Sequence, residues 1–350
     1  MEFLIWASAP SSWITARGND LDGCVIASRV RIARNLSTAP FPHNATPNTQ
    51  RQTLEMISDA LSRSPKLKSS HSFRLNDLTQ IQRNFLMERQ LISHQHATQK
   101  GEKGLVVSSG EQLSIMINEE DHIRAACFEP GLALQDGWAT LNDLDDDLIR
   151  KLPISYDEDF GFLTAWPTNV GTGLRASCLM HLPALTLTGR VSQVMQGLER
   201  VGLVARGFYG EGTSAFGDLF QISNALTLGR PESAILNHVE KTVKTLSSLE
   251  KDEQETLLER ENRAPIEDVI YRALGTLRSA RMLPFQEAMH LLSLVRLGSQ
   301  LTLKIPHDLS ELTNLFFLAQ PAHLSLRKTG LGESASDERL RADFLRQKLN

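Results

Sequence analysis

Leu113-Ser114-Ile115-Met116-Ile117-Asn118-Glu119-Glu120-Asp121-His122-Ile123-Arg124 is the stretch around which the chain is arranged. Leu113, Ile115 and Ile117 alternate with Ser114, Met116 and Asn118, the period of two that belongs to a half-buried strand, and three consecutive acids fall where that strand ends. Three acids beside an arginine can offer a carboxylate to a cationic substrate while the guanidinium faces an anionic one, an arrangement suited to moving a charged group between two ligands. The alternative is a solvated acidic turn, since charged strand ends are common on surfaces. Residues 117–124 alone leave both readings open.

At 350 residues, 41% of them hydrophobic, the chain can bury a sizeable core and its length predicts two domains. A formal charge of −4 gives no global electrostatic case for nucleic acid or an anionic membrane. Cys24, Cys127 and Cys178 are odd in number and far apart, with no metal-ligand spacing, which predicts free thiols in a reducing cytoplasm and no metal held by protein side chains. The N-terminal apolar run lacks a basic flank and no stretch approaches the ~18 apolar residues of a membrane span, so neither targeting nor anchoring is expected.

Arg29 and Arg31 are two apart and share one side of an extended segment, where two guanidinium forks can hold adjacent phosphates; an edge strand guarded by arginine has the same pattern. Thr46-Pro47 predicts a helix start with the stripe Leu54, Ile57 and Leu61. A second helix is predicted from Asn76 with the stripe Leu78, Ile81 and Phe85, so residues 36–92 are expected to be mainly helical. Strands follow at 104–108, 113–118 and 123–128, then an amphipathic helix on Leu134, Trp138, Leu141 and Leu148. An apolar strand at 160–165 leads to a loop containing Gly171 and Gly173, which is expected to feed a helix over 175–187 with its N-terminus towards an anion. No Gly-Lys-Ser/Thr follows, so this is no Walker loop. A helix at 190–200 and a strand at 203–209 precede Gly210-Glu211-Gly212-Thr213, either a loop that closes over a substrate or a plain surface hairpin. A strand at 216–222 and a helix from 231 to about 263 come next, then helices over 265–281, 284–296, 307–319 and 337–349. The domain boundary is placed in the charged stretch 250–263.

Four segments in order, Ser28-Arg29-Val30-Arg31, Asn118-Glu119-Glu120-Asp121-His122-Ile123-Arg124, Pro167-Thr168-Asn169-Val170-Gly171-Thr172-Gly173-Leu174-Arg175-Ala176-Ser177 and Arg206-Gly207-Phe208-Tyr209-Gly210-Glu211, resemble the successive motifs of the ATP:guanido phosphotransferases, the phosphagen kinases. Only 27 residues precede the first motif, where the family's small-molecule kinases carry a helical domain, and a helical region follows at the far end; this layout resembles the bacterial protein-arginine kinases of the McsB type. The resemblance runs from about Ser12 to the C-terminus. It implies an α+β fold: a phosphagen-kinase-like catalytic domain over 1–255, with an antiparallel sheet flanked by helices, and an added helical domain over 256–350.

The implied function is transfer of the ATP γ-phosphoryl group to the guanidinium of arginine side chains in proteins, in a cytoplasmic stress response that marks them for Clp-type proteolysis. ATP and Mg2+ carried by the nucleotide are the implied cofactors. Phosphoryl transfer is mostly positioning and charge neutralisation, and by the resemblance Arg29, Arg31, Arg124, Arg175 and Arg206 hold the phosphates. Glu120 and Glu211 match the family's catalytic, substrate-gripping glutamates. The implied nucleotide segments are Ala27, Ser28, Arg29, Val30 and Arg31; Gln90; Arg124; Arg175, Ala176, Ser177, Cys178 and Leu179; and Arg206, Gly207, Phe208, Tyr209, Gly210 and Glu211. Trp166 replaces the family's substrate-pocket cysteine and is expected to narrow that pocket; Gln90 replaces a histidine and Ser214 a second loop glutamate. Asp337, Glu338, Arg341 and Ala342 align with a phosphoarginine-binding motif whose first arginine has become an acid, so an ordinary amphipathic helix with a solvated basic face is expected. Implied partners are protein substrates with exposed arginines, a zinc-finger activator, a heat-shock repressor, a Clp protease and a second copy of the chain, with no membrane and no nucleic acid. Two other readings stay open: a catalytically silent adaptor for phosphoarginine proteins, to which Trp166 points, and a kinase of a small guanidino metabolite, against which the short N-terminus argues.

Overall fold

The computed structural model describes residues 2–15, 18–207, 216–327 and 336–350. Its strands are β1 (Val25–Arg34), β2 (Ser70–Arg74), β3 (Gly104–Ser108), β4 (Leu113–Ile117), β5 (Ile123–Pro130), β6 (Tyr156–Asp157), β7 (Gly161–Phe162), β8 (Leu174–His181), β9 (Leu203–Gly207) and β10 (Leu219–Asn224). Eight of them form one sheet in the order β2-β3-β4-β5-β1-β8-β10-β9, every neighbouring pair antiparallel, while β6 and β7 make a separate short hairpin.

Alternation along the central strands sends small and branched apolar residues to one face. There Val30, Ile32, Ala125, Cys127, Ala176, Cys178 and Ile222 pack against Leu141, Leu144 and Leu148 of the helix Leu134–Lys151 and Leu236, Val239 and Val243 of the helix Glu232–Leu257. The other face is divided. One part, with Ala27, Met116, Ala126 and Phe128, shares a core with Trp13 and with Leu315, Phe316, Phe317 and Leu345 of the C-terminal helices. Trp13 stacks on Phe128 at 5.1 Å and meets Phe317 edge-on at 5.6 Å, so the C-terminal region is welded to the sheet by shared apolar burial, at ~1.5–3 kcal/mol per large side chain. The other part of this face carries arginines.

Several expectations change. Thr46 does cap the helix Pro47–Ser62, accepting from the Thr49 N–H. Residues 36–92 are mainly helical as expected, with the one strand β2 among them pairing with β3. The second helix runs Gln80–Glu88 rather than from Asn76, since Thr79 and Gln82 form a reciprocal capping box. Of the strand expected at 160–165 only Gly161 and Phe162 pair with β6, and Gly161 sits at φ 76°. The helix expected over 175–187 is strand β8 as far as His181, held by ladders to β1 and β10 on both sides; only Pro183–Leu187 is helical. Phe216–Asp218 is a 3-10 turn before β10, and the long C-terminal helical region breaks at Leu258 and Glu259 into Glu232–Leu257 and Arg260–Ser279. No helix among the described residues is long and apolar enough to cross a membrane.

The final helix, Asp337–Leu349, departs from its expected solvated basic face. Arg341 is 2% exposed, with Nε donating to the Ala319 carbonyl at 2.9 Å and Nη1 to the Leu283 carbonyl at 2.9 Å, and Ala342 is buried beside it. Asp337 is exposed in the first turn, while Glu338 is half-buried and accepts the Leu283 N–H through its carbonyl. A second polar tie lies nearby: the buried Glu88 carboxylate accepts the N–H groups of Ala322 and His323 at 2.8 and 3.0 Å and contacts His323 Nδ1 at 2.8 Å. Glu88→Ala would leave those donors buried without an acceptor, at ~1–3 kcal/mol each. A denaturant titration should show a loss of about 3 kcal/mol; an unchanged midpoint would contradict this role.

Candidate active site

Residues directly opposite in an antiparallel ladder, and residues two apart on one strand, project from the same face. Arg31 lies opposite Arg175, and Arg29 opposite Ser177. Arg124 lies opposite Ala33, two residues from Arg31. Ser223 lies opposite Ser177, and Arg206 opposite Gln221, two residues from Ser223. Register alone therefore gathers Arg29, Arg31, Arg124, Arg175 and Arg206 on one face across five strands. The intervening Val30, Ala176 and Cys178 point into the core on the opposite face, and the Ser28 hydroxyl is committed to the Gly131 carbonyl, so these residues and the buried Ala27 offer no free polar side chain to a ligand. Leu179 is half-buried against the apolar core, and Gly207 is buried at the end of β9. Phe208, Tyr209, Gly210, Glu211 and Ser214 lie outside the described residues.

The acidic stretch is a built turn and not a solvated one. Glu119 is 4% exposed, accepts from Arg124 Nη1 at 2.6 Å and takes the Ser93 hydroxyl as a second donor. Asp121 Oδ1 accepts from Asn35 Nδ2 at 2.6 Å and from the Ala165 N–H at 2.7 Å, while Asn35 Oδ1 takes the His122 N–H. Asn118 turns the chain at φ 58° and donates to the carbonyls of Gln50 and Glu102. Glu120 is left half-buried, with its carboxylate 3.3 Å from Arg124.

The two neighbouring glutamates differ in character. Burial pushes the Glu119 carboxyl up, but Arg124 and the Ser93 hydroxyl outweigh it and hold it at about 2. At Glu120 burial wins over Arg124 and raises the carboxyl above its ordinary value. The arginines show the opposite stress. Burial first, then the Arg124 and Arg175 guanidiniums, push Arg29 down to about 9, and burial followed by the charges of Arg29, Arg124 and Arg175 pushes Arg31 well below its ordinary value. The Nε atoms of both are buried with no hydrogen-bond partner among the described residues. Such a cluster fits a polyanion, which would satisfy the donors and relieve the repulsion together.

Around the cluster, Arg175 donates to the Ser223 hydroxyl at 3.0 Å, and the Ser177 hydroxyl receives Gln221 Nε2 at 2.9 Å. Gln90, at φ 62°, presents Oε1 3.5 Å from Arg29 Nη1. The Trp166 side chain is 54% exposed beside Ala165, whose N–H is held by Asp121 of the acidic turn. Sequence reasoning passed over Glu119, Ser93, Asn35, Ser223 and Gln221; only the adjacency of three acids to one arginine signalled that one of them had to be its counter-ion.

Arg31 is half-buried among like charges, and replacing it by an apolar side chain of similar length removes that repulsion. Arg31→Met should raise the stability of the free protein by about 1–2 kcal/mol. It should also weaken stabilisation by pyrophosphate at least ~10-fold in thermal denaturation; a less stable variant that keeps its pyrophosphate response would contradict both points.

Two family models match the chain: "ATP:guanido phosphotransferase, C-terminal catalytic domain" over residues 52–253 and "Protein-arginine kinase McsB C-terminal domain" over residues 263–350. The chain is 38% identical over 341 residues to the protein-arginine kinase of Halothermothrix orenii, covering 97% of each. It is 43% identical over 321 residues to that of Symbiobacterium thermophilum, covering 90% of each. Among solved structures it is similar to the substrate-free duplicated taurocyamine kinase from Schistosoma mansoni, with TM-score 0.58 and 22% identity over 76% of this chain and 41% of that longer one. Lombricine kinase gives TM-score 0.56 and 24% identity over 70% of each chain. These two likenesses are of fold. With two family models spanning most of its length and relatives this similar from end to end, the chain belongs to the ATP:guanido phosphotransferase family, in the branch that carries the McsB C-terminal domain.

Proposed function

We propose that this kinase transfers the γ-phosphoryl group of ATP to the guanidinium of an arginine side chain in a protein. The observation that carries this reading is the meeting, on one sheet face, of arginines with unsatisfied buried donors and a carboxylate of raised proton affinity. Arg29, Arg31, Arg124, Arg175 and Arg206 would hold the phosphates. Magnesium carried on the nucleotide would supply further charge neutralisation there. A guanidinium gives up a proton only above pH ~12, so the proton has to leave as the nitrogen–phosphorus bond forms. The bond from the γ-phosphorus to the bridging oxygen breaks, ADP departs, and the proton goes to Glu120, whose raised proton affinity suits a base. Glu119, firmly ionised, stays as counter-ion and aims Arg124, so adjacent carboxylates take different roles. Glu211 is the second carboxylate in this reading.

A protein substrate, rather than a small guanidino compound, is supported by the names of the end-to-end relatives and by the exposure of Trp166. The match of residues 263–350 to the McsB domain supports a wider reading: a cytoplasmic stress-response role, marking of proteins for a Clp-type protease, and a zinc-finger activator, a heat-shock repressor and a second copy of the chain as partners. The helix break at Leu258 and Glu259 supports a division into 1–255 and 256–350. Arg341, committed to two carbonyls, is a structural residue in this reading and not a phosphoarginine ligand.

Incubation with ATP, magnesium and an unfolded protein, followed by mass spectrometry at neutral pH, should find acid-labile phosphate on arginine. Its absence would favour a silent adaptor, and phosphorylation of free guanidino compounds alone would favour a metabolite kinase. Glu120→Gln should lower kcat by ~10²–10⁴ with nucleotide affinity nearly unchanged. Because the base must be ionised, wild-type kcat should fall as pH drops through a value above the usual ~4.3 of glutamate, and that limb should vanish in the variant; a retained limb would assign the base elsewhere.

A further inference from the structure

Large apolar side chains stand in solvent on segments that are tied to this site. Tyr156, Phe160, Trp166, Leu226 and Leu228 are each more than half exposed, although they come from three separate segments. Those segments are cross-linked into one rim. Tyr156 packs edge-on against Phe162 at 5.2 Å, and Phe162 donates its N–H to the Gly171 carbonyl at 2.8 Å. Gly171 lies so close to Leu228 that an added Cβ would meet the Leu228 Cα at 2.9 Å, which fixes the two loops against each other. The Thr227 hydroxyl donates to the Val170 carbonyl at 2.6 Å, and the Trp166 carbonyl accepts from the Asn169 N–H and the Thr164 hydroxyl.

Both ends of the rim are tied to the residues that would hold the reactants. Ala165, next to Trp166, is bonded through its N–H to Asp121 in the acidic turn that carries Glu120. At the other end Asn224 donates to the carbonyls of Leu174 and Leu226 and accepts from the Ala176 N–H, bracketing Arg175. The hairpin tip adds charge: Asp157 caps the turn by accepting the N–H groups of Asp159 and Phe160, leaving Glu158 and Asp159 exposed beside the Phe160 ring.

We infer that Tyr156, Phe160, Trp166, Leu226 and Leu228, with the acidic hairpin tip, form a docking rim for an extended polypeptide that carries apolar and basic side chains on either side of the arginine to be phosphorylated. This rests on the kinase reading and names its substrate class. Apolar side chains next to an arginine are buried in most folded proteins, so the rim selects unfolded segments. The charge decides among occupants. An anionic membrane surface would be repelled by Glu158 and Asp159, and a two-fold contact between copies of this chain through the hairpin would bring two acidic tips into one interface. A basic, apolar polypeptide meets the acids with opposite charge.

The test uses the full-length protein and two fluorescent peptides with one central arginine, flanked either by Leu, Phe and Lys or by Gly and Ser. Anisotropy without nucleotide reads docking; kinetics with ATP reads its use. The wild type should bind the apolar, basic peptide about tenfold more tightly, with the same ratio in KM and little change in kcat. In the triple variant Phe160→Ser, Leu226→Ser, Leu228→Ser that preference should disappear while ATP binding, the control for folding, is kept. Equal binding of both peptides by the wild type, or a preference that survives the triple variant, overturns the rim; so does a triple variant that loses a dimer present in the wild type, which would make the surface a contact between copies. A binding preference that persists with no phosphate on arginine would sink the kinase reading and leave the rim standing.

Discussion

Like-charged guanidinium groups held side by side on one face of a sheet repel one another, and the rest of the molecule can be understood as what holds them there. Ladders on both sides of β1 and β8 lock Arg29, Arg31 and Arg175 in register, so their separation cannot relax without breaking the centre of the sheet. Arg124 has a close carboxylate partner of low proton affinity, Glu119, and that pair is clamped by the Ser93 hydroxyl. The Nε donors of Arg29 and Arg31 have no hydrogen-bond partner among the described residues and stay available to a ligand. The cost is carried by the opposite face, where branched side chains pack under two long helices.

The same sheet face also explains the place of the C-terminal helices. Where the arginines stop, Ala27, Ala126 and Phe128 continue the face as an apolar surface, and Trp13, Phe316 and Phe317 cover it. The helix Gln80–Glu88 is the hinge of this arrangement in the chain. Glu88 caps the helix Pro321–Leu326, Arg89 bonds both oxygens of Glu111 and the carbonyls of Trp6 and Ala9, and Gln90 reaches towards Arg29. Three consecutive residues thus touch the C-terminal helices, the N-terminal helix and the candidate site.

Much of this was legible in the sequence, for reasons that can be named. Strand β4 follows from its alternation and β3 and β5 from short apolar runs between turns, and the order of the four motifs identified the family and the arginines that the ladder registers bring to one face. Strand β8 was missed because Ala176, Ser177 and Cys178 are small and carry little strand signature; what makes them a strand is pairing on both sides, a non-local fact. The last helix has its expected bounds, but Arg341 on it was misjudged, because it looks like a surface residue until the carbonyls of Ala319 and Leu283 are seen to meet it. The division of labour between Glu119 and Glu120 was hidden for the same reason: Ser93 and Asn35 approach from segments far away in the chain.

The central claim is that the unsatisfied Nε donors of Arg29 and Arg31 exist to receive phosphate oxygens. Arginine Nε–H signals in nitrogen-15 NMR spectra, assigned by Arg29→Lys and Arg31→Lys, measure this directly. On adding a non-hydrolysable ATP analogue with magnesium, both signals should shift downfield and their exchange with water should slow, while the Arg34 Nε–H, already bonded to Asp145 at 3.0 Å, should stay as it was. Unchanged Arg29 and Arg31 signals at saturating nucleotide would contradict the account.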